Sequence, residues 1–349
     1  MLDTAFDEIN ILGDKVGRST IPDDLKKSIE IRLDQLKKLT NSPTFLPEYD
    51  RMNKYIDWVS NLPWNIKSQD NLDLVNAKKI LDAHHYGLED IKDRVLEYLA
   101  VMKLKQEKGE GQDIYRAPIL CFVGLVGTGK TTIAYSIAEA LGRKIARIPF
   151  GGMGDPLDLR GQSKMHPEAE PGKIIKALRD TATRNSVILL DEIDRVTEQG
   201  RASIMGVLVE LLDPGQNHAF TDHYIDFPVN LSECIFIATA NNTTNISTAV
   251  MDRIEPIMMP SYSDQEKIII GKTYVFPKAL KSSGLPPDAL KIDDDVWINL
   301  VRPLGYDAGI RTMERTIGGV VRKVARMIVE GKGTSFSVTP QNVKEFLPL

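Results

Sequence analysis

The chain is short of several features that announce common functions. Only two of its 349 residues are cysteine, Cys121 and Cys234, and each lies inside a strand-like apolar run. Two such residues build no disulfide framework, and no Cys or His cluster has zinc-ligand spacing; buried free thiols in a reducing compartment are the simple reading. His218 and His223 have neither the helical spacing nor the third ligand of a metal pair. Positive charge is not in excess: the net charge is −4 and the pI about 5.8, so nothing points to nucleic acid or to a membrane surface. No apolar run approaches the roughly 20 residues that span a bilayer. The start, Met-Leu-Asp-Thr-Ala-Phe-Asp-Glu, has neither the basic residues nor the apolar stretch of a signal peptide. A cytoplasmic chain is expected.

What is present is an ordinary globular composition, 42% hydrophobic and 26% charged, over a length sufficient for two or three domains. After Ile21-Pro22, a fair helix start, Leu25, Ile29, Leu33 and Leu36 recur at helical spacing. The stripe fits a coiled-coil seam or one face of a small bundle, and its shortness favours the bundle. Asn41-Ser42-Pro43 breaks it. A second helix carries Tyr49, Met52, Ile56 and Val59 and ends at Leu62-Pro63-Trp64, because a residue before proline disfavours helical angles. Trp58 and Trp64 at this boundary read as packing residues. Residues 73–83 and 88–104 read as helices, and 105–116 as a polar, Gly-rich exposed loop.

From residue 117 short apolar strands alternate with helices: Pro118–Val123, Ile145–Pro149, Val187–Leu190 and Cys234–Thr239. That alternation predicts a mainly parallel α/β sheet. Beyond Ser261 helices dominate, with Phe336–Val338 a candidate strand. The expected division is an N-terminal helical segment (1–70), an α/β nucleotide-binding domain (71–260) and a helical domain (261–349).

Gly124-Leu125-Val126-Gly127-Thr128-Gly129-Lys130-Thr131 matches the phosphate-binding pattern G-x4-G-K-[ST], with an apolar strand before it and a helix from Thr132 after it. Glycines let consecutive N–H groups converge on phosphates, and the helix N-terminus adds positive potential. Lys130 is expected to reach the β- and γ-phosphates of ATP, and Thr131 to ligate Mg²⁺. About 60 residues on, Val187–Leu190 runs into Asp191 and Glu192. Asp-Glu after a strand is by itself a common solvated turn. Downstream of a phosphate loop it fits a Mg²⁺-holding carboxylate, Asp191, and a base for the attacking water, Glu192.

Around these motifs the sequence resembles the ATPase part of Lon proteases, AAA+ proteins. The resemblance rests on Leu189-Leu190-Asp191-Glu192-Ile193-Asp194, Leu212-Asp213-Pro214, Gln216-Asn217, Asp222-His223-Tyr224 and Ala238-Thr239-Ala240-Asn241. Tyr55-Ile56-Asp57-Trp58, Leu62-Pro63-Trp64, His85-Tyr86-Gly87-Leu88 and Glu97-Tyr98-Leu99-Ala100 extend it upstream. Asp252-Arg253, Gly309-Ile310-Arg311 and Met313-Glu314-Arg315 extend it downstream, so that it covers about residues 46–349. It implies an AAA+ parallel-sheet domain with a helical lid, assembled as a hexameric ring with ATP between subunits. It also implies that Tyr86, Gly87 and Leu88 pack on adenine and that Asn241 positions the lytic water. Arg253 would be the arginine finger that reaches a neighbour's γ-phosphate, and Arg311 the lid arginine that senses phosphate within one subunit. Permanently charged, forked guanidinium groups suit both tasks.

The chain departs from the family in four ways. It ends at Leu349, where the lid ends and a serine–lysine protease domain would follow, so no peptide-bond hydrolysis is expected. Only about 45 residues stand where bacterial Lon has a large N-terminal region. Where Lon has an aromatic–aliphatic–glycine pore loop, an ungapped count from Pro171-Gly172-Lys173 places His166-Pro167-Glu168, with Met165 adjacent; Arg201-Ala202-Ser203-Ile204 replaces a second pore segment. Leu125 and Val126 replace two prolines at positions the phosphate-loop pattern leaves variable. The expectation is an ATPase motor that unfolds or remodels proteins, alone or with a separate protease. A nucleotide-driven scaffold or a Lon-associated partner is the alternative. The same ends also fit a piece of a longer chain, and the acidic balance lends nothing to a DNA-binding role.

Overall fold

The structure, a computed structural model, describes residues 2–108, 118–166, 168–302 and 309–347, with side chains from residue 6 onward. Its centre is a five-stranded parallel sheet of β1 (Ile119–Val123), β2 (Ile145–Pro149), β3 (Val187–Asp191), β6 (Ile235–Ala240) and β7 (Ile254–Met258), in the order β2-β3-β6-β1-β7. The antiparallel pair β4 (Phe220–Thr221) and β5 (Pro228–Val229) stands apart, as does the parallel pair β8 (Leu290–Ile292) and β9 (Phe336–Val338).

The central strands are buried on both faces, which is why they read as continuous apolar runs. Cys121, Val123, Ile188, Leu190 and Phe236 face one core; Leu120, Phe122, Leu189 and Ile237 face the other. Both thiols are buried, and burial pushes each up to about 12, so neither ionises at neutral pH. The strand the sequence concealed is β7, whose Ile-Glu-Pro-Ile-Met has a proline at its centre. Pro256 is tolerated because β7 is an edge strand, paired among the described residues with β1 alone, and Pro149 ends the opposite edge strand. β8 also escaped the pattern, being three residues long.

On the first face the core is continuous with three helices, α1 (Leu2–Arg18), α2 (Asp23–Lys38) and α3 (Phe45–Ser60). Leu25, Ile29, Leu33 and Leu36 form the buried face of α2, packed in a bundle with Ile9, Leu12 and Val16 of α1 and Tyr55, Ile56 and Val59 of α3. Trp58 lies under the Arg179 guanidinium at 4.2 Å, and Trp64 donates its indole N–H to Val59 O at 2.8 Å. The second face is covered by α4 (Leu74–His84), α5 (Glu89–Glu107) and α6 (Lys130–Leu141). Helix α5 runs three residues past the expected end at 104, and most of the Gly-rich stretch beyond lies outside the described residues. A third core, around Trp297, Leu300, Ile317, Val321 and Val324, unites the C-terminal helices, of which Arg311–Val329 is the longest. No helix among the described residues is long and apolar enough to cross a membrane.

Candidate functional site

Because the sheet is parallel, Gly124, Asp191–Glu192 and Asn241 all emerge from carboxyl ends of adjacent strands, at one edge of the sheet. The phosphate loop turns from β1 into α6 through Gly127 and Gly129, at φ +83° and +96°, angles that a side chain would strain. Thr128 is fully buried and its hydroxyl donates to Leu125 O at 2.9 Å; Thr132 closes the first turn of α6 by donating to Gly129 O at 2.8 Å. Leu125 and Val126 point outward, so replacing prolines there leaves the loop's inner face untouched.

Lys130 is buried. Its ammonium donates to Gly124 O at 2.7 Å, Leu125 O at 2.9 Å and Asn241 Oδ1 at 3.2 Å. Burial lowers its pKa and Arg311 adds to this, against the opposing pull of Glu192, Asp194 and Asp191. An ammonium so placed gains from a phosphate anion. The Lys130 contact also orients the Asn241 amide, because only its oxygen can accept. Asn241 Nδ2 is thereby left buried with no partner among the described residues. A buried donor without a partner is the exception in native structures. The Asn241 backbone is clamped from behind by buried Asp194, which accepts its N–H at 3.0 Å and that of Asn242 at 3.3 Å.

Asp191 is buried with every oxygen engaged. Oδ1 accepts from Thr131 at 3.2 Å and from Thr239 at 2.6 Å; Oδ2 accepts from Arg147 Nε at 2.7 Å and lies 2.6 Å from its Nη2. The Thr239 hydroxyl also accepts the Glu192 N–H at 2.8 Å, tying β6 to both acidic residues. Glu192 holds φ +59°, a left-handed conformation that costs a non-glycine residue energy and turns its carboxylate out of the strand. That carboxylate lies 3.7 Å from Arg195. Thr131, Asp191 and a helix N-terminus offer the hard oxygen donors and the anion-binding end that a Mg²⁺-nucleotide requires.

The C-terminal helices reach this cluster directly. Ile310 donates its N–H to Gly127 O at 3.1 Å, and Arg311 opens the next helix against the loop. With Glu314 they wall a cleft of about 110 Å³ whose floor is Lys130, Thr131, Asp191 and Glu192. Larger cavities exist, about 760 Å³ beside the open edge of β2 and about 520 Å³ between α2, α3 and residues 164–169, but neither contains the phosphate loop.

Two groups lie apart from the cleft. Tyr86, Gly87 and Leu88 join α4 to α5 with Gly87 and Leu88 at positive φ; Leu88 packs against both the sheet core and the C-terminal core. His85 beside them is buried, hydrogen-bonded to Ser136 of α6 at 2.9 Å, and lowered to about 4 by burial, so it is neutral. Arg253 is further away, with Ile119, Ile235 and Ile254 at the amino ends of the strands, opposite the phosphate loop. It donates to Ala249 O at 2.7 Å and to Asp213 Oδ2 at 3.1 Å. It does not line the cleft that holds Lys130 and Asp191.

The segment after Arg160-Gly161 is anchored at its base by Asp222, fully buried, whose carboxylate accepts Gly172 N–H at 2.7 Å, Tyr224 N–H at 2.8 Å and Ile225 N–H at 3.0 Å. Burial raises its pKa against those three donors. Asp222→Asn is expected to destabilise the chain by about 1–3 kcal/mol, because an amide NH₂ would face the Gly172 N–H; thermal unfolding of the two proteins measures it. At the tip, His166 and Glu168 are exposed and Met165 is 78% exposed, while Pro167 lies outside the described residues.

Thr239, Asp194 and Arg147 escaped the reading by motif. Thr239 and Asp194 lie inside the segments that carry the family resemblance. Arg147 had no signal beyond being a charge in an edge strand.

Comparison with known proteins follows the same outline. Residues 120–262 match the model of the ATPase family associated with various cellular activities (AAA), and residues 281–336 that of the Lon protease AAA+ ATPase lid domain. The chain is 41% identical over 343 residues to a Lon protease of Lawsonia intracellularis, covering 98% of itself and 40% of that protein. It is 42% identical over 332 residues to Lon protease 2 of Thermus thermophilus, covering 94% and 41%. It thus spans about two fifths of the length of these curated relatives. Among solved structures it is similar in fold to the extended conformation of the S. cerevisiae Hsp104:casein complex. The TM-score is 0.61 at 17% identity, over 80% of this chain and 52% of that one.

Proposed function

The chain belongs to the AAA ATPases with a Lon-type lid, and on that premise we propose that it hydrolyses ATP between the subunits of a ring, six by analogy with its family, and uses the cycle to unfold or remodel proteins. The observation that carries the reading is the meeting of Lys130, Thr131, Asp191, Glu192 and the Asn241 amide at one sheet edge, with Asn241 Nδ2 unpartnered among the described residues. The loop N–H groups and Lys130 hold the phosphates. Thr131 and Asp191 would hold Mg²⁺, which when bound offsets charge on the β- and γ-phosphates. Glu192 takes a proton from water as that oxygen attacks the γ-phosphorus; the bond to the β-phosphate oxygen breaks, and ADP and phosphate leave. Asn241 Nδ2 donates to the attacking water, which satisfies the orphan. Arg311 couples phosphate occupancy to the lid, Arg253 serves the neighbouring subunit's site, and Tyr86–Leu88 bear on the adenine.

Steady-state ATP hydrolysis with and without an unfolded protein tests the reading, with Lys130→Ala as the blank. Turnover that rises severalfold with unfolded protein is the expected result. Basal turnover indifferent to polypeptide would favour a nucleotide-driven scaffold. The second reading draws on the exposed imidazole and carboxylates of the 165–170 segment, a poorer apolar wedge than an aromatic ring.

A further inference from the structure

Arg147 touches no expected phosphate position, yet it makes the most directed ion pair in the site. From edge strand β2, in register with Leu189, its side chain runs along the sheet to Asp191. Two guanidinium nitrogens there engage the single oxygen Oδ2 at 2.7 and 2.6 Å. The opposite oxygen, Oδ1, is the one that meets Thr131 and Thr239. Half-exposed ion pairs contribute little to stability, and the Arg147 side chain is 50% exposed. Its geometry, however, does something a point charge would not. A planar fork on Oδ2 and two hydroxyls on Oδ1 together remove the carboxylate's freedom to rotate.

We propose that Arg147 is a positioning residue for the divalent cation: it holds Asp191 so that only Oδ1, beside the Thr131 hydroxyl, is turned to the metal. The inference rests on the reading of Thr131 and Asp191 as the metal's holders. Groups that orient a metal ligand from behind typically change metal affinity 10–100-fold when removed. Loss of the fork therefore outweighs the relief of repulsion between guanidinium and metal, because the half-exposed guanidinium is screened by water.

The test is Mn²⁺ affinity, measured by the EPR signal of free Mn²⁺ during titration into the chain saturated with ATPγS. Arg147→Met is expected to weaken Mn²⁺ binding at least tenfold, with the affinity for ATPγS in EDTA unchanged. Arg147→Lys, which keeps the charge and loses the fork, is expected to weaken it several-fold; it also covers the case in which the Met variant does not fold. Unchanged or tighter Mn²⁺ binding in a folded Met variant, or wild-type binding in the Lys variant, would overturn the proposal. Asp191→Asn is the control for the underlying reading. If it leaves Mn²⁺ affinity unaltered, the metal assignment itself has failed; if it weakens binding and the Arg147 variants do not, only the role of Arg147 falls.

Discussion

Glu192→Gln is expected to keep ATP bound and to lower kcat by about 10²- to 10⁴-fold, the range for removal of a positioned general base. The substitution removes proton affinity and the negative charge that faces Arg195 and Lys130, and keeps the shape of the side chain. Glutamine has the same length, keeps an oxygen, and leaves the backbone N–H bond to Thr239 in place. The left-handed backbone at this residue is equally tolerant of either side chain. Equilibrium binding of ATP alongside phosphate release separates the two effects. Weak binding would mean that Glu192 helps hold nucleotide, and wild-type turnover would mean that another group takes the proton.

Arg253→Ala is expected to lower turnover at least a hundredfold in the homogeneous protein and to regain it on mixing with Lys130→Ala. Arginines supplied in trans to a transferring phosphoryl group are worth 10³- to 10⁵-fold in rate where they have been removed. In this chain Arg253 lies at the opposite end of the strands from Lys130, tethered to Ala249 O and Asp213. One defect therefore spoils a subunit's own cleft and the other spoils what it lends. Mixed assemblies contain junctions where an intact cleft meets an intact finger, and phosphate release by the mixture should exceed that of either parent. No recovery, with light scattering showing that the two variants co-assemble, would return Arg253 to the status of a surface ion pair.

The two expectations differ in how the sequence carried them. Glu192 was singled out from local chemistry: a buried strand, then two acids, downstream of a phosphate loop. Arg253 was singled out only by resemblance. Nothing about Asp252-Arg253 in isolation distinguishes a finger from a partner for Asp213, with which it does pair. The same divide separates Asn241 from Asp194 and Thr239. The asparagine follows a strand that periodicity reveals, whereas its clamp and the hydroxyl linking Asp191 to Glu192 come from residues 47 or 48 positions away in sequence.

By itself the sequence determined the alternation of strands and helices, the phosphate loop, the acidic strand end and the buried stripe of α2. Each of these is a local matter: glycine's permitted angles, a run of apolar side chains, a period of 3.6 or 2. Only the tertiary structure decided that Ile254–Met258 is a strand, since a proline is excluded from a sheet's interior but not from its edge. It alone decided that the bundle of α1–α3 shares a core with the sheet, that Arg147 lies on Asp191, and that Arg253 faces away from the cleft of its own chain. The reason is common to all four. Strand order, and hence which ends and edges lie side by side, is set by packing between segments far apart in sequence, and no window along the chain contains both partners of those contacts.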